Sequence, residues 1–273
     1  MHSMLKTGTA ALFAAFALGA SAGAVQAATL KITVTNLGVS GGLTITPVFA
    51  AFHNGSFDTF NVGDAASAGL EEIAETGSAA GIAGEMAGVQ PSAVSAFITA
   101  AGNGIPPIEP GESDSATLTL DGTDHRYFSY LSMILPSNDH FIGNGDPLAH
   151  ALFDGSGNYL GDQSIFVLGT DAYDAGTEQN IGDGAPFVPS LAGTVGVDEG
   201  GTVHAATGVD NFAGLEVANG QTIDLSQINF AGNPDYQIAR IDIQAVPVPA
   251  ALPLMLGAFG LMGFAARRRD NAA

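Results

Sequence analysis

The chain of 273 residues has no cysteine and no tryptophan, and it has seven Lys and Arg residues against 27 Asp and Glu. Without cysteine there is no disulfide framework, no thiolate zinc site and no cysteine nucleophile. The formal net charge of −20 excludes nucleic acid as a partner, because phosphate binding needs clustered basic side chains. The fold and any functional site must therefore be built mainly from apolar, acidic and small residues.

The first 27 residues have the order of a secretory signal peptide. Lys6 precedes an apolar stretch over residues 10–20, and the small residues Val25 and Ala27 follow. This order predicts cleavage after Ala27 and export of the remaining chain. The alternative is a buried N-terminal helix, but the segment has no acidic residue although the chain is rich in them.

The C-terminal end, residues 246–273, has a second targeting pattern. A Val-Pro-Val-Pro-Ala motif opens an apolar run of 21 residues over 246–266, which is long enough to cross a membrane as a helix. Three arginines at 267–269 follow, and the positive-inside rule then leaves residues 28–245 outside. The simple interpretation is a C-terminal anchor in the inner membrane.

This tripartite end resembles the bacterial PEP-CTERM class of sorting signals in its VPLPA variant, with Val248 where the variant has Leu. The resemblance implies a Gram-negative bacterium and an exosortase-type sorting protease as a partner. It also implies a final location in the cell envelope, on the cell surface or in the extracellular matrix, where exopolysaccharide or surface proteins are the expected partners.

Residues 28–245 are expected to form one all-β domain, an antiparallel β-sandwich with a short helical insertion. We predict a hairpin turn at residues 38–42 and an irregular excursion over 176–222. Helices are predicted over residues 65–75, 79–87 and 91–100. Strands are predicted over residues 29–37, 43–53, 115–121, 126–135, 163–169 and 236–245.

Between the two terminal signals the chain has 26 acids and only three bases. Such a domain suits divalent cations, cationic partners or saline surroundings, and solubility in a saline habitat is the simpler alternative. Two loops concentrate carboxylates: Asp139 follows one strand, and Asp174 and Glu178 follow another. Three converging carboxylates are either solvated and splayed or neutralised by a hard cation, for which Ca²⁺ is the best candidate.

At these loops the chain resembles the spondin N-terminal domain family. The similarity runs through residues 46–77, through LPSNDHFIGN (135–144) and DAYDAGTE (171–178), and more weakly through 209–215. It implies a β-sandwich with one Ca²⁺ between loops and ligands at Asp139, Asp174 and Glu178. Animal members have Asp at the position of Glu178.

Other motifs are weaker. Residues 38–42 match G-x-S-x-G but precede a strand, where a nucleophile elbow would precede a helix. Residues 154–162 start like an EF-hand loop but lack its central Gly and closing Glu. The leading hypothesis is therefore a non-enzymatic, calcium-binding surface or matrix protein that acts in adhesion or matrix assembly. An extracellular polysaccharide hydrolase and a carbohydrate-binding module are the alternatives.

Overall fold

The computed structural model describes residues 27–99, 107–217 and 220–247. The predicted signal peptide and the predicted sorting signal therefore lie almost entirely outside the described residues. No helix within these three ranges is long and apolar enough to cross a membrane.

The described residues are mostly β-structure with two helices, α1 (Ala68–Thr76) and α2 (Ala80–Val89). The strands are β1 (Ala28–Asn36), β2 (Thr44–Ile45), β3 (Val48–His53), β4 (Val94–Ile98), β5 (Ser113–Leu120), β6 (Tyr127–Leu135), β7 (His140–Gly143), β8 (His150–Ala151), β9 (Gln163–Leu168), β10 (Ala172–Asp174), β11 (His204–Ala205) and β12 (Gln237–Ala245).

These strands form two antiparallel sheets. The smaller sheet has the order β5-β1-β12-β9, and the larger has the order β11-β10-β7-β6-β3-β4, with β2 and β8 also paired to β6. The main core lies between the sheets, where Leu30, Ile32 and Val34 of β1 are buried on one face as their alternation predicts. The mostly β, two-sheet architecture is that expected for an all-β sandwich.

The two helices form a third layer on the outer face of the larger sheet. Alternate residues of β3 serve different cores: Phe52 packs between the sheets, whereas Phe49 packs with Leu70 and Ile73 of α1. Ser67 caps α1, since its Oγ accepts a hydrogen bond from the backbone N–H of Leu70 at 3.1 Å. The central strands are therefore buried on both faces, and this explains their continuous apolar sequence.

Two sequence-based predictions of local structure were wrong. The segment predicted as a third helix contains β4, because Val94, Phe97 and Ile98 pair with β3 at the edge of the larger sheet. The glycine-rich turn at 38–42 does not close a hairpin: β1 pairs with β5 and β12, whereas β2 pairs with β6. The turn instead carries the chain from one sheet to the other.

We predict that Gly69→Ala destabilises the helical layer. A Cβ at Gly69 would lie 2.6 Å from the backbone nitrogen of Ile82, so α1 and α2 would have to separate. The expected loss is about 1–3 kcal/mol in the free energy of unfolding, measured by urea denaturation. Gly84→Ala in α2 is the matched control, because no atom lies within 4 Å of its added Cβ; it should stabilise by about 0.5–1 kcal/mol. Equal effects of the two substitutions would contradict the close helix contact.

We also predict a stability loss in mild acid that depends on His53. This side chain is fully buried, and its burial lowers its pKa to about 4. Its Nδ1 accepts from the N–H of Gly55 at 3.1 Å, and its Nε2 donates to Ser129 Oγ at 3.0 Å, so the folded ring is neutral. The unfolded chain takes up a proton below about pH 6.5, whereas the folded chain does so only near pH 4.

Stability conferred by this residue is therefore complete above pH 6.5 and is lost as the pH falls to about 4. The loss amounts to about 3 kcal/mol at most. Urea denaturation at several pH values should show that the difference in unfolding free energy between the wild type and His53→Gln shrinks over this window. A difference that does not change with pH would refute the assignment.

Candidate metal centre

The candidate site begins in the tight turn between β6 and β7. Ser137 Oγ donates to the carbonyl of Ile134 at 2.6 Å and accepts from the N–H of His140 at 3.0 Å, which closes the turn. This closure leaves Asn138 and Asp139 at the tip, and both are completely buried. The polar side chains of this turn are therefore buried in the protein interior, where each polar atom needs a hydrogen-bonding or ionic partner.

Strand register brings the second half of the site to the same place. In the larger sheet Asp174 of β10 lies directly opposite His140 of β7 on one side and His204 of β11 on the other. Because successive side chains alternate, His140 lies on the same face as Ile142, which packs in the core between the sheets. The three polar residues therefore form a row across three neighbouring strands.

Asp139, His140 and Asp174 form a buried cluster. Each offers one ligand atom, and these atoms lie within 4.8 Å of one another. His140 lies between the two carboxylates, with Nδ1 at 3.5 Å from Asp139 Oδ1 and Nε2 at 3.8 Å from Asp174 Oδ2. The first distance is at the limit for a hydrogen bond and the second is beyond it, so the ring lies close to both carboxylates without a short hydrogen bond to either.

Asp139 also organises the loop after β10. Its Oδ2 accepts hydrogen bonds from the backbone N–H groups of Thr177 and Glu178, both at 3.0 Å. Burial alone would raise the pKa of Asp139, but the adjacent His140 and these N–H groups outweigh burial and lower the pKa. The carboxylate is therefore ionised near neutral pH although it is fully buried.

Asp174 is held in a similar way. Its Oδ1 accepts from the N–H of Gly176 at 2.8 Å, and its Oδ2 accepts from Asn180 Nδ2 at 2.6 Å. The Nε2 of His204 lies 3.6 Å from the same Oδ2. Both carboxylates are thus oriented by the loop over residues 176–180, and each keeps coordination capacity for a further partner.

Several buried polar atoms around this cluster have no hydrogen-bond partner. Such atoms are rare because each costs free energy in a folded protein. Of the seven found among the described residues, all but one belong to the cluster or its immediate neighbours: Asn138 Oδ1, Asp139 Oδ1, both ring nitrogens of His140, Glu178 Oε2 and Asn180 Oδ1. This concentration of unpaired donors and acceptors fits a bound cation, and oxygen atoms predominate as Ca²⁺ requires.

The third predicted ligand, Glu178, lies beside the cluster rather than in it. Its backbone is tied to Asp139, but its carboxylate lies against Gly184 and Gly196. Burial and the nearby Glu75, Asp139 and Asp198 raise the pKa of Glu178 to about 7. The structure thus brings Asp139 and Asp174 together, whereas the carboxylate of Glu178 lies outside the group whose ligand atoms are within 4.8 Å of one another.

Sequence reasoning did not point to Asn138, Asn180 or His204, and His140 beside Asp139 is by itself only thin support for a zinc ligand. The signal for His204 is only the pairing of β10 with β11, which no local pattern reveals.

The architecture defines a class of protein: a two-sheet antiparallel β-sandwich with a buried Asp-His-Asp cluster at one group of loops. The Spondin_N family, the spondin N-terminal domain, matches residues 42–192, which is more than half of the chain. The chain therefore belongs to this family, and membership indicates a secreted or extracellular protein. A search of curated protein sequences found no match.

We predict that Gly176→Ala disturbs the loop that carries Thr177 and Glu178. Gly176 has a φ of +68°, and an added Cβ would lie 2.6 Å from the carbonyl oxygen of Thr202. Gly193→Ala is the matched control, because Gly193 also has a positive φ but has no atom within 4 Å of the added Cβ.

Gly193→Ala should lower the free energy of unfolding by about 1–2 kcal/mol, which is the cost of an alanine in the left-handed conformation. Gly176→Ala should lose about 1–3 kcal/mol more, because the loop must move away from the backbone of Thr202. Urea denaturation of chelator-treated protein measures both. Equal losses would show that contact with Thr202 does not hold the loop.

Proposed function

We propose that this chain is an exported, non-enzymatic, calcium-binding member of its family that acts in adhesion or matrix assembly at the bacterial surface. The observation that carries the metal part is the cluster of buried, unpartnered polar atoms around Asp139 and Asp174. Among the described residues these two buried carboxylates have no Lys or Arg partner, and a divalent cation would supply a compensating charge.

Asp139, Asp174 and Glu178 are the proposed carboxylate ligands, and Asn138 and Asn180 are proposed to add amide oxygens. Hard oxygen donors in flexible loops are the ligands that Ca²⁺ prefers, at six to eight per ion. When bound, the ion supplies positive charge and cross-links the β6–β7 turn to the loop after β10. The residues themselves act by fixing those two loops, and no step of bond making or breaking is assigned to them.

The loop that the cation would cross-link also presents apolar side chains to solvent. The backbone N–H of Gln179 donates to the carbonyl of Val197 at 2.8 Å, and the chain between them exposes Ile181, Phe187 and Val195. The proposed role is that calcium orders this loop for contact with other molecules.

Export and sorting rest on the two ends of the chain. We propose that residues 1–27 are removed as a signal peptide, that residues 246–273 anchor the protein in the inner membrane, and that an exosortase-type protease recognises them. Leu30 pairs with Ala245, so the start of β1 lies beside the end of β12. The segment before β1 and the segment after β12 therefore leave the domain at neighbouring positions. Both processed ends would then lie at one edge of the domain.

The calcium proposal is tested by thermal unfolding of the purified protein with chelator and with excess Ca²⁺. Saturation at 100 times Kd should add about 2.7 kcal/mol to the free energy of unfolding, which corresponds to a rise of roughly 5–10 °C in Tm. Asp139→Ala and Asp174→Ala should each abolish the rise, because each removes a ligand.

Asp154→Asn is the control, since Asp154 caps its own turn through the N–H groups of Ser156 and Asn158, within the weak EF-hand match. It should keep the full rise in Tm. An equal rise in both ligand variants would disprove the site, and no rise in the wild type would disprove calcium as the ion.

A further inference from the structure

Four strands lie at the edges of the two sheets: β5 and β9 in the smaller sheet, β11 and β4 in the larger. β11 has two residues, and β4 and β5 contact each other. β9 is a six-residue edge that pairs with β12 on one side and with no strand of the described residues on the other. Proteins usually protect such an edge with charged side chains or proline, but the sequence QSIFVL of β9 has neither.

The backbone N–H groups on the free edge of β9 can be identified from its C-terminal end. The N–H of Gly169 donates to the carbonyl of the residue before β12 at 2.8 Å. Leu168 is extended, with φ −103° and ψ 171°, so alternation turns the N–H groups of Leu168, Phe166 and Ser164 away from β12. Asp171 Oδ2 accepts the N–H of Leu168 at 2.8 Å. The N–H groups of Ser164 and Phe166 therefore face the free edge, where no described strand pairs with them.

The surface beside this edge is apolar and locally neutral. Phe166 is 48% exposed and lies opposite Arg240 of β12. Arg240 forms an ion pair with Asp242 at 2.8 Å, and Asp242 lies opposite Ser164, whose Oγ donates to it at 2.6 Å. Residues 28–245 have 26 acids and three bases, yet β9 has no charged residue. Two copies can therefore meet along β9 without placing acids of this strand opposite each other.

We propose that β9 pairs antiparallel with β9 of a second copy of this chain, around a two-fold axis at Phe166. The two smaller sheets then join into one sheet of eight strands. Directly opposite residues of antiparallel strands face the same side, so this axis places Phe166 opposite its own counterpart. The two Phe166 residues exchange both backbone hydrogen bonds, and the N–H of Ser164 donates to the carbonyl of Leu168 in the second copy. The free N–H groups are thereby paired, and the two exposed rings pack together.

The inner face of β9 fits the same axis. Val167 is fully buried in the core between the sheets, whereas Ile165 is partly buried and packs against that core. The axis at Phe166 places Ile165 opposite Val167 of the second copy, so apolar side chains meet on the inner face as well. A second copy therefore matches β9 in length, in charge and on both faces.

This inference does not depend on calcium. β9 belongs to the smaller sheet, whereas Asp174 and its neighbours lie on β7, β10 and β11 of the larger sheet. The dimer should therefore form in the presence of chelator. Failure of calcium binding would contradict the proposed function and would leave the β9 pairing standing.

The experiment is sedimentation equilibrium of the purified protein in chelator over a range of concentrations, where the wild type should show a monomer–dimer equilibrium. Phe166→Glu should weaken dimerisation by about tenfold or more, because it places two like charges opposite each other at the axis. Thr117→Glu is the matched control. Thr117 is exposed on β5, the other edge strand of the same sheet, and its replacement should leave the equilibrium unchanged.

Single-cysteine variants test the register, because the chain has no cysteine of its own. The Cα atoms of a hydrogen-bonded antiparallel pair lie about 5.5 Å apart, which suits a disulfide. Phe166→Cys should therefore form a covalent dimer on mild oxidation. Ser164→Cys should not, because the two Ser164 positions would be offset by about 14 Å along the strands.

A wild type that stays monomeric at every concentration would overturn the inference; this result is expected if a segment outside the described residues covers β9 within the same chain. Equal dimerisation of the wild type and Phe166→Glu, or equal cross-linking of the two cysteine variants, would overturn it too. Phe166 is half exposed at the sheet edge, so Phe166→Glu should still unfold cooperatively with a Tm near that of Thr117→Glu. Loss of the dimer in this folded variant would support the pairing.

Discussion

The structure depends on how two buried carboxylates are compensated. Asp139 and Asp174 are completely buried, and among the described residues neither forms an ion pair with a Lys or Arg. Basic side chains are few, and the two arginines of the described residues have other partners. Arg240 forms an ion pair with Asp242, and Arg126 Nε donates a hydrogen bond to the carbonyl of Phe153. Backbone N–H groups and imidazoles are the sources of positive potential that the structure places around them, and the proposed cation would be a third.

The strand pattern of this fold could be predicted from the sequence wherever local alternation agrees with burial. The clearest case is β1, whose alternate residues Leu30, Ile32 and Val34 are buried. Prediction failed where partners decide the structure. The segment at Val94–Ile98 is a strand because β3 offers it an edge, and the turn after Asn36 crosses between sheets because β12 and β5 already flank β1. Neither fact is encoded within a window of ten residues.

The candidate site was predictable in part for the same reason. Asp139 and Asp174 follow strands in sequence, and a resemblance to the family points to them. His204 is some thirty residues further along, inside an irregular segment, and only the register of β10 against β11 brings it to Asp174. Asn138 and Asn180 could not be singled out from the sequence because amides are common in turns, and only their unpaired buried oxygens distinguish them in the structure.

The same contacts connect the site to the surface. The chain leaves β10 through Gly176 and returns to β11 through Val203, and the backbone N–H of Gly201 donates to the carbonyl of Gly176 at 2.8 Å. Asp139 binds the start of this excursion through Thr177 and Glu178. A cation at Asp139 and Asp174 would therefore act at the base of a long loop whose exposed apolar residues lie further out. If the proposed cation binds there, its removal would leave the two carboxylates to repel each other at that base, and the loop would then lose order.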